Sequence, residues 1–471
     1  MLTQAVPGRE GLTPRQLWPA VLGSVAVLLL IAAPLAVVFG IMKYLVIALA
    51  VWLAVWVFQN PKEAISAGIL FNLAAYVLLP SSNRFEWSWQ TVEPWELYYH
   101  ATGLLIITLA AVLRLGPRAL LRVPGPVKAF LLVASAAALV GFSNGNSPSY
   151  VIRQFYGSLL LVLYFAIAYQ AGDERLFLRR LRTFGVLCAA GFFVYYVAVF
   201  SQYGFHKEAT SLGTLCGAVA ILCFVTGTTE KRFSWIASAM ILLGVPLLLV
   251  ERRIILTFVL GLTLAQAMKA TTRKMKLFLY SAAVLVMLPG IFPLSAAILV
   301  ESLMTVPGLE KILPAEAIDV SSLADRTLEL PVSLGMLQKS PVLGNGFGSQ
   351  ISWDSPVYGL MEQAYVDNGW AYLMVKAGAA GILAFSWFLW MILGAISRKS
   401  LAISVCFLSM LLVTLFTEPV FFQFSTSPFL GSLAGLLYAR KARETNHGLL
   451  TASLSKKLVE DAHRRSGNLA Q

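Results

Sequence analysis

ATSLGTLCGAVAILCFVTG, residues 209–227, is an apolar run without a single charged side chain. With the rise of 1.5 Å per residue of an α-helix, these residues extend about 28 Å, close to the thickness of the hydrocarbon core of a bilayer. Apolar and polar residues do not alternate along the run, as they do in the strands of a membrane β-barrel. The run therefore predicts a membrane-spanning helix.

Comparable runs recur along the whole chain of 471 residues, of which 58% are hydrophobic and 13% charged. Soluble proteins carry about 25% charged residues, so this composition excludes a soluble globular domain and a disordered chain. We predict an all-α polytopic integral membrane protein with about 12–14 transmembrane helices. The predicted spans are 18–39, 41–58, 62–80, 97–114, 126–143, 155–171, 183–201, 209–227, 234–250, 254–268, 277–299, 370–397, 400–417 and 421–438.

The formal net charge of +13 comes from 36 basic and 23 acidic residues. If the N-terminus lies in the cytoplasm and the spans alternate, most basic residues fall in inner loops and the outer side carries a net negative charge. Such an asymmetry sets topology in membrane proteins, so we predict that both termini are cytoplasmic. The positive charge is thereby explained without a nucleic-acid partner.

The spans divide the chain into four predicted parts. These are a first helix bundle (1–299), a large periplasmic loop (300–369), the C-terminal transmembrane helices (370–438) and a basic cytoplasmic tail (439–471). The loop keeps an apolar periodicity in DRTLELPVSLGMLQ, so it is expected to be structured. The cysteines lie scattered in apolar runs, without the spacing of a metal site or a disulfide framework, and we predict neither a metal nor a cofactor.

Several charged residues lie at the predicted outer ends of spans. Residues 234–268 would extend about 52 Å as one helix, too long for a single span, so we predict a hairpin whose tip holds Glu251, Arg252 and Arg253. The two adjacent arginines either reach the membrane surface or bind an anion in a polar cavity. Arg153 opens another span, where it is an anchor or a binding residue. Arg326 lies in the outer loop, and the residues around it do not by themselves predict a function for it.

Two further segments precede the last group of spans. GNGFG, with Gly344, Gly346 and Gly348, lacks the lysine and the spacing of a nucleotide-binding loop, so it predicts a tight turn or a close backbone approach. Glu362, Asp367 and Asn368 stand at the outer end of a span. A carboxylate there can act as a general base, whereas Asp367 or Asn368 can equally cap the helix.

The order of these motifs resembles that of the O-antigen ligase and O-antigen polymerase family of bacterial envelope enzymes. In that family an arginine and an apolar helix precede P-x-x-G-x-G-x-G, followed by His-Asn or Asp-Asn and G-x-x-G. Here the pieces are Arg326, then SPVLGNGFGS, then VDNGWAYLMVKAGAAG. Arg153 matches an upstream arginine of the family, and Glu251-Arg252-Arg253 matches a Ser-Arg at an outer hairpin tip, through Arg253. Ligases usually have His at the position of Asp367, so the Asp-Asn pair looks more like that of polymerases.

The resemblance implies a metal-independent glycosyltransferase with its active site on the periplasmic face of the bacterial inner membrane. The implied donor is an oligosaccharide on undecaprenyl diphosphate, and the acceptor is a glycan or glycolipid. Arg153, Arg252, Arg253 and Arg326 would stabilise the departing diphosphate, with Asp367 or Glu362 as the base. Membrane lipids and proteins of chain-length control or export are further implied partners. The alternative is a transporter that flips lipid-linked oligosaccharides, although such proteins tend to place polar residues at mid-membrane in repeated halves.

Overall fold

A computed structural model of the chain describes most of its residues from 42 to 445. The described residues are 42–78, 94–116, 118, 121–203, 210–248, 252–270, 277, 281, 331–355, 359–363, 366, 368–417, 420–423 and 425–445. Two predicted spans, 18–39 and 277–299, fall almost entirely outside them, and the predicted basic tail (439–471) is described only as far as residue 445.

Most predicted spans that are described coincide with a helix, although the span predicted at 421–438 begins in a 3₁₀ turn and becomes helical only at residue 427. The helices are α1 (Met42–Gln59), α2 (Ala64–Leu78), α3 (Pro94–Leu115), α4 (Gly125–Ser143), α5 (Pro148–Ala171), α6 (Glu174–Tyr203), α7 (Thr210–Glu230), α8 (Phe233–Leu248), α9 (Arg252–Lys269), α10 (331–339), α11 (Gly369–Leu393), α12 (Leu401–Thr417) and α13 (427–445). Single 3₁₀ turns occupy Pro61–Glu63, Arg398–Ser400 and Val420–Phe422. The tip of the predicted hairpin lies partly outside the described residues, which stop at Leu248 and resume at Arg252, and α8 and α9 pack against each other and against α7.

Four of these helices are long and apolar enough to cross a membrane, namely α4, α5, α11 and the segment Leu212–Glu230 of α7. Several other helices in the described part of the chain are equally apolar but shorter. The prediction of a helical membrane protein is therefore confirmed.

Helix α7 lies at the centre of one group of helices and packs against α6, α8, α9 and α12. The cysteines lie in this group, and all four are buried and free. Their predicted role as small apolar side chains is confirmed. Cys406 on α12 contacts the carbonyl oxygen of Ala218 on α7 at 3.4 Å, which brings these two helices close together.

A second group contains α4, α5, α11 and α13, and it surrounds the glycine-rich segment. Helix α4 packs against both α5 and α11. Helix α13 approaches α5 through Gly431 and Gly435, where an added Cβ would lie 2.3 Å from the Leu161 carbonyl oxygen and 2.4 Å from that of Phe165. Small residues four apart are a frequent means of close helix packing in membranes.

Residues 331–363 are structured, as the apolar periodicity of the loop predicts, but they differ from an external helical loop in two ways. Strands β1 (Ile351–Ser355) and β2 (Gly359–Gln363) form an antiparallel hairpin in which Ile351 is opposite Gln363. Elsewhere the described residues form helices and turns, so the prediction of a helical protein is confirmed apart from this hairpin. In addition, Gly346–Ser349 are buried inside the helix bundle rather than lying outside it.

Candidate functional site

The glycine motif forms a tight turn between α10 and β1, which we call the glycine loop (residues 341–349). Gly344, Gly346 and Gly348 have φ angles of 68°, 79° and 78°. Side chains other than glycine rarely adopt this left-handed region. The predicted tight turn is therefore confirmed, and its backbone conformation explains why the motif needs glycine at alternate positions.

One side of the glycine loop inserts into a break in α11. Gly378 interrupts the helix with φ 60° and ψ −155°. The Val375 carbonyl oxygen accepts a hydrogen bond of 2.8 Å from the Asn345 N–H instead of from its own helix. The N–H groups of Ala379 and Ala380, in turn, donate to the carbonyl oxygens of the loop residues 341 and 342 at 2.9 and 3.0 Å. The loop thus completes the hydrogen bonding of the interrupted helix.

The contact between the two segments leaves no room for side chains. A Cβ added to Gly344 would lie 2.7 Å from the Gly378 nitrogen, and one added to Gly378 would lie 2.6 Å from the Gly344 nitrogen. The P-x-x-G-x-G-x-G and G-x-x-G motifs of the sequence are therefore in direct backbone contact.

The opposite side of the glycine loop rests on α4 and α5. The Phe347 N–H donates to the Ala137 carbonyl oxygen of α4 at 2.9 Å, and the Gly348 N–H donates to the Gln154 Oε1 of α5 at 2.8 Å. Between these helices, the Asn146 Nδ2 donates to the carbonyl oxygens of Asn345 and Phe347 at 3.1 and 2.9 Å. The loop therefore connects α11 to α4 and α5, whose contacting residues lie about 200 positions earlier in the sequence.

Lys376 on α11 is a site residue that the sequence reasoning missed. Its side chain is fully buried, and its Nζ donates to the Ser349 carbonyl oxygen and, at 3.3 Å, to the Ser349 Oγ. Ser349 Oγ donates in turn to the Gly346 carbonyl oxygen at 2.9 Å. A single lysine in an otherwise apolar span is costly to bury, and that cost is the sequence signal that marks it as functional or structural.

Two of the predicted site residues lie next to the glycine loop. Arg153 is exposed on α5, and its chain neighbour Gln154 is the residue that holds Gly348. Asn368 caps α11, because its Oδ1 accepts hydrogen bonds from the N–H groups of Trp370 and Ala371 at 2.9 and 3.1 Å. Of the two residues proposed as a cap, Asn368 therefore has that role.

The other predicted site residues are not brought to the loop by the described contacts. Glu362 is exposed on β2, opposite Ser352. Arg252 and Arg253 form the first turn of α9, which packs against α7 and α12 rather than against the helices that hold the glycine loop. Arg326 and Asp367 lie outside the described residues.

The described part of the chain contains no group of three or more His, Cys, Asp or Glu side chains that could hold a metal ion. The polar groups around the glycine loop are instead backbone amides, carboxamides, a hydroxyl and one buried ammonium. Such groups hold a loop in place, and Arg153 beside them supplies an exposed positive charge. The arrangement therefore places the positive charge of Arg153 next to a rigidly held loop.

The comparisons with known proteins identify no relative. No protein-family model matches the chain, and no curated protein is significantly similar to it. The assignment of a function therefore depends on the motif residues and on the contacts that they make.

Proposed function

We propose that the chain is a glycosyltransferase of the bacterial inner membrane that transfers or polymerises oligosaccharides carried on undecaprenyl diphosphate. The proposal includes 12–14 spans, cytoplasmic termini and an active site on the periplasmic face. The observation that carries it is the contact between the two glycine motifs. Two of the segments that carry the family resemblance, SPVLGNGFGS and the G-x-x-G of α11, are in backbone contact, and Gln154, next to Arg153, accepts a hydrogen bond from Gly348.

In the proposed reaction, an acceptor hydroxyl attacks the anomeric carbon of the donor. The new glycosidic C–O bond forms as the bond from the anomeric carbon to the phosphate oxygen breaks, and undecaprenyl diphosphate leaves with the electron pair. Asp367 takes the proton of the attacking hydroxyl, with Glu362 as the second candidate for this role.

The arginines serve the leaving group. The planar guanidinium donates two parallel hydrogen bonds to phosphate oxygens, which lets it stabilise a diphosphate without a metal ion. Arg153 is the first candidate, and Arg252, Arg253 and Arg326 are the others. A lipid-linked donor reaches such residues sideways from the membrane.

A transporter of lipid-linked oligosaccharides is the second candidate, and the break in α11 favours it. Interrupted helices form the substrate sites of many transporters, where the free backbone groups bind the substrate. In this chain, however, the glycine loop occupies the break. It donates a hydrogen bond to the carbonyl oxygen of Val375 and accepts hydrogen bonds from the N–H groups of Ala379 and Ala380. A break already filled by the chain itself favours a structural role.

The two functions can be distinguished by the face of the membrane on which lipid-linked repeat units accumulate when the protein is missing. Cells that lack the protein are disrupted to give right-side-out vesicles, and a membrane-impermeant lectin that recognises the repeat unit is added. A transferase predicts lipid-linked repeat units on the outer face, whereas a transporter predicts them on the inner face. If a reporter fused after residue 340 indicates the cytoplasm, the proposed periplasmic active site is refuted.

A further inference from the structure

A polar pocket lies at the other end of α5 from the glycine loop. It has a volume of about 250 Å³ and is lined by Arg122, Tyr169, Gln170, Ala439, Ala442 and Arg443. The 17 residues from Arg153 to Gln170 extend about 25 Å along the helix. The pocket is therefore separate from the candidate site, and the proposed transfer reaction makes no use of it.

The described residues that line the pocket include two arginines and no carboxylate. Arg443 donates a hydrogen bond of 3.2 Å to the Gly172 carbonyl oxygen at the end of α5. Two like charges that face one small space repel each other, and an anion between them relieves the repulsion. The electrostatics of this pocket therefore favour a negatively charged ligand.

The neighbouring Arg440 shows how a structural arginine at this end of the bundle differs. Its Nη1 donates to Glu174 at 3.1 Å and to the Ser400 hydroxyl at 2.6 Å, and its Nε donates to Glu444 at 3.4 Å. The hydrogen bond from Lys399, together with that from Arg440, holds the pKa of Glu444 below its usual range. The charge of Arg440 is thus balanced by carboxylates, whereas Arg443, one turn further along α13, points to a backbone carbonyl and the pocket.

Tyr169, which lines the pocket, belongs to a cluster of aromatic rings. Tyr169 lies 5.6 Å from Tyr438 and 6.2 Å from Phe165, measured between ring centroids. Tyrosines at the ends of spans commonly mark the level of the lipid headgroups. Leu121, the chain neighbour of Arg122, is 71% exposed, which suits a position against acyl chains.

We propose that this pocket binds the phosphate of an anionic phospholipid headgroup. The arginines Arg122 and Arg443 hold the phosphate oxygens, and the volume is several times the roughly 30 Å³ of one water molecule. Basic pockets between transmembrane helices are recognised sites for anionic lipids. The exposed leucine and the tyrosines favour a lipid over a free anion, because these side chains can contact the apolar part of a lipid but not a free anion. The bound headgroup ties the segment before α4 to the ends of α5 and α13.

The test uses the full chain, purified in a neutral detergent, with lipid retention measured by native mass spectrometry. The probes are phosphatidylglycerol, phosphatidylcholine and inorganic phosphate. We expect Arg122→Gln and Arg443→Gln each to weaken phosphatidylglycerol retention by about tenfold, or about 1.4 kcal/mol. The control is Arg232→Gln, because Arg232 is an exposed arginine paired with Glu230 at 3.3 Å outside the pocket and its loss should leave retention unchanged.

Three results would overturn the proposal. Equal retention of phosphatidylglycerol by wild type and by both pocket variants excludes these arginines as its ligands. Equal retention of phosphatidylglycerol and phosphatidylcholine by the wild type excludes recognition of the anionic headgroup. Competition by inorganic phosphate at the same concentration assigns the pocket to a free anion instead. If a glutamine variant does not fold, Arg443→Lys keeps the charge but removes the planar fork, and a measurable loss of retention is still expected.

Discussion

Substitution of Gly346 by alanine tests whether the glycine loop holds α4, α5 and α11 together. The added Cβ would lie 2.2 Å from the nitrogen and 2.5 Å from the Cα of Gly141 on α4. Both atoms belong to the backbone of a helix, so rotation of a side chain cannot relieve the contact. The glycine loop must therefore move away from α4.

The cost of this movement follows from the contacts that are lost. A positive φ costs a residue with a Cβ about 1–2 kcal/mol. Displacement of the loop also breaks the hydrogen bond from Phe347 to Ala137 and the two from Asn146, at about 1 kcal/mol each. We expect Gly346→Ala to lower the free energy of unfolding by about 4–5 kcal/mol, a large part of the stability of a typical protein.

Gly145 provides a matched control. It has a similar φ of 74°, but an added Cβ would meet nothing within 4 Å. Gly145→Ala should therefore cost only the backbone strain of about 1–2 kcal/mol. Both variants are heated in detergent, and the fraction that remains monodisperse is measured by size-exclusion chromatography. If the two variants lose their folded fraction at the same temperature, the close contact with α4 contributes nothing and the reasoning is refuted.

Four further predictions concern single side chains. Arg153→Lys keeps the charge but loses the planar fork, so glycan product should fall while membrane insertion, measured by immunoblot, stays normal. Asp367→Asn should lower the amount of polymer by roughly a hundredfold if Asp367 is the base, and unchanged polymer would transfer that role to Glu362. Lys376→Met removes the hydrogen bonds to Ser349 that help to hold the glycine loop, so the amount of folded protein, measured by size-exclusion chromatography, should fall. Glu63→Gln should lower the melting temperature, because it removes the buried carboxylate that binds the half-buried Arg180, whereas replacing both residues by apolar ones should lower it less.

The sequence predicts the positions of the helices well, but it places the beginnings of some of them too late. Helix α5 begins at Pro148 rather than at residue 155, and α6 begins at Glu174 rather than at residue 183. At the start of α6, the Asp173 Oδ1 accepts hydrogen bonds from the N–H groups of Arg175 and Leu176, so the helix begins in a charged segment. Hydrophobicity reports which residues suit the lipid core, whereas capping and proline positions decide where a helix begins.

The candidate site is predictable only in part. Positive φ angles at the glycine motif follow from the residue type, and the cap at Asn368 follows from its place before an apolar run. The interruption of α11 at Gly378 does not follow from local sequence, because VKAGAAG suits a continuous helix. Whether such a helix breaks depends on a partner that can bond to its free backbone groups, and that partner lies about 30 residues earlier in the chain.

The contact between the two glycine motifs also indicates which residues of the site are structural and which are available to bind a substrate. Within a membrane, an unsatisfied backbone N–H or carbonyl costs several kcal/mol, so a broken span requires a segment of matching shape. The glycine loop supplies that segment, and its glycines are needed for close approach rather than for binding a substrate. Substitutions of Gly344, Gly346 and Gly378 should therefore reduce the amount of folded protein more than the activity of each folded molecule. Arg153, which is exposed beside the loop, should show the opposite pattern if it binds the diphosphate. Measuring activity per folded molecule in both classes of variant thus separates the structural part of the site from its catalytic part.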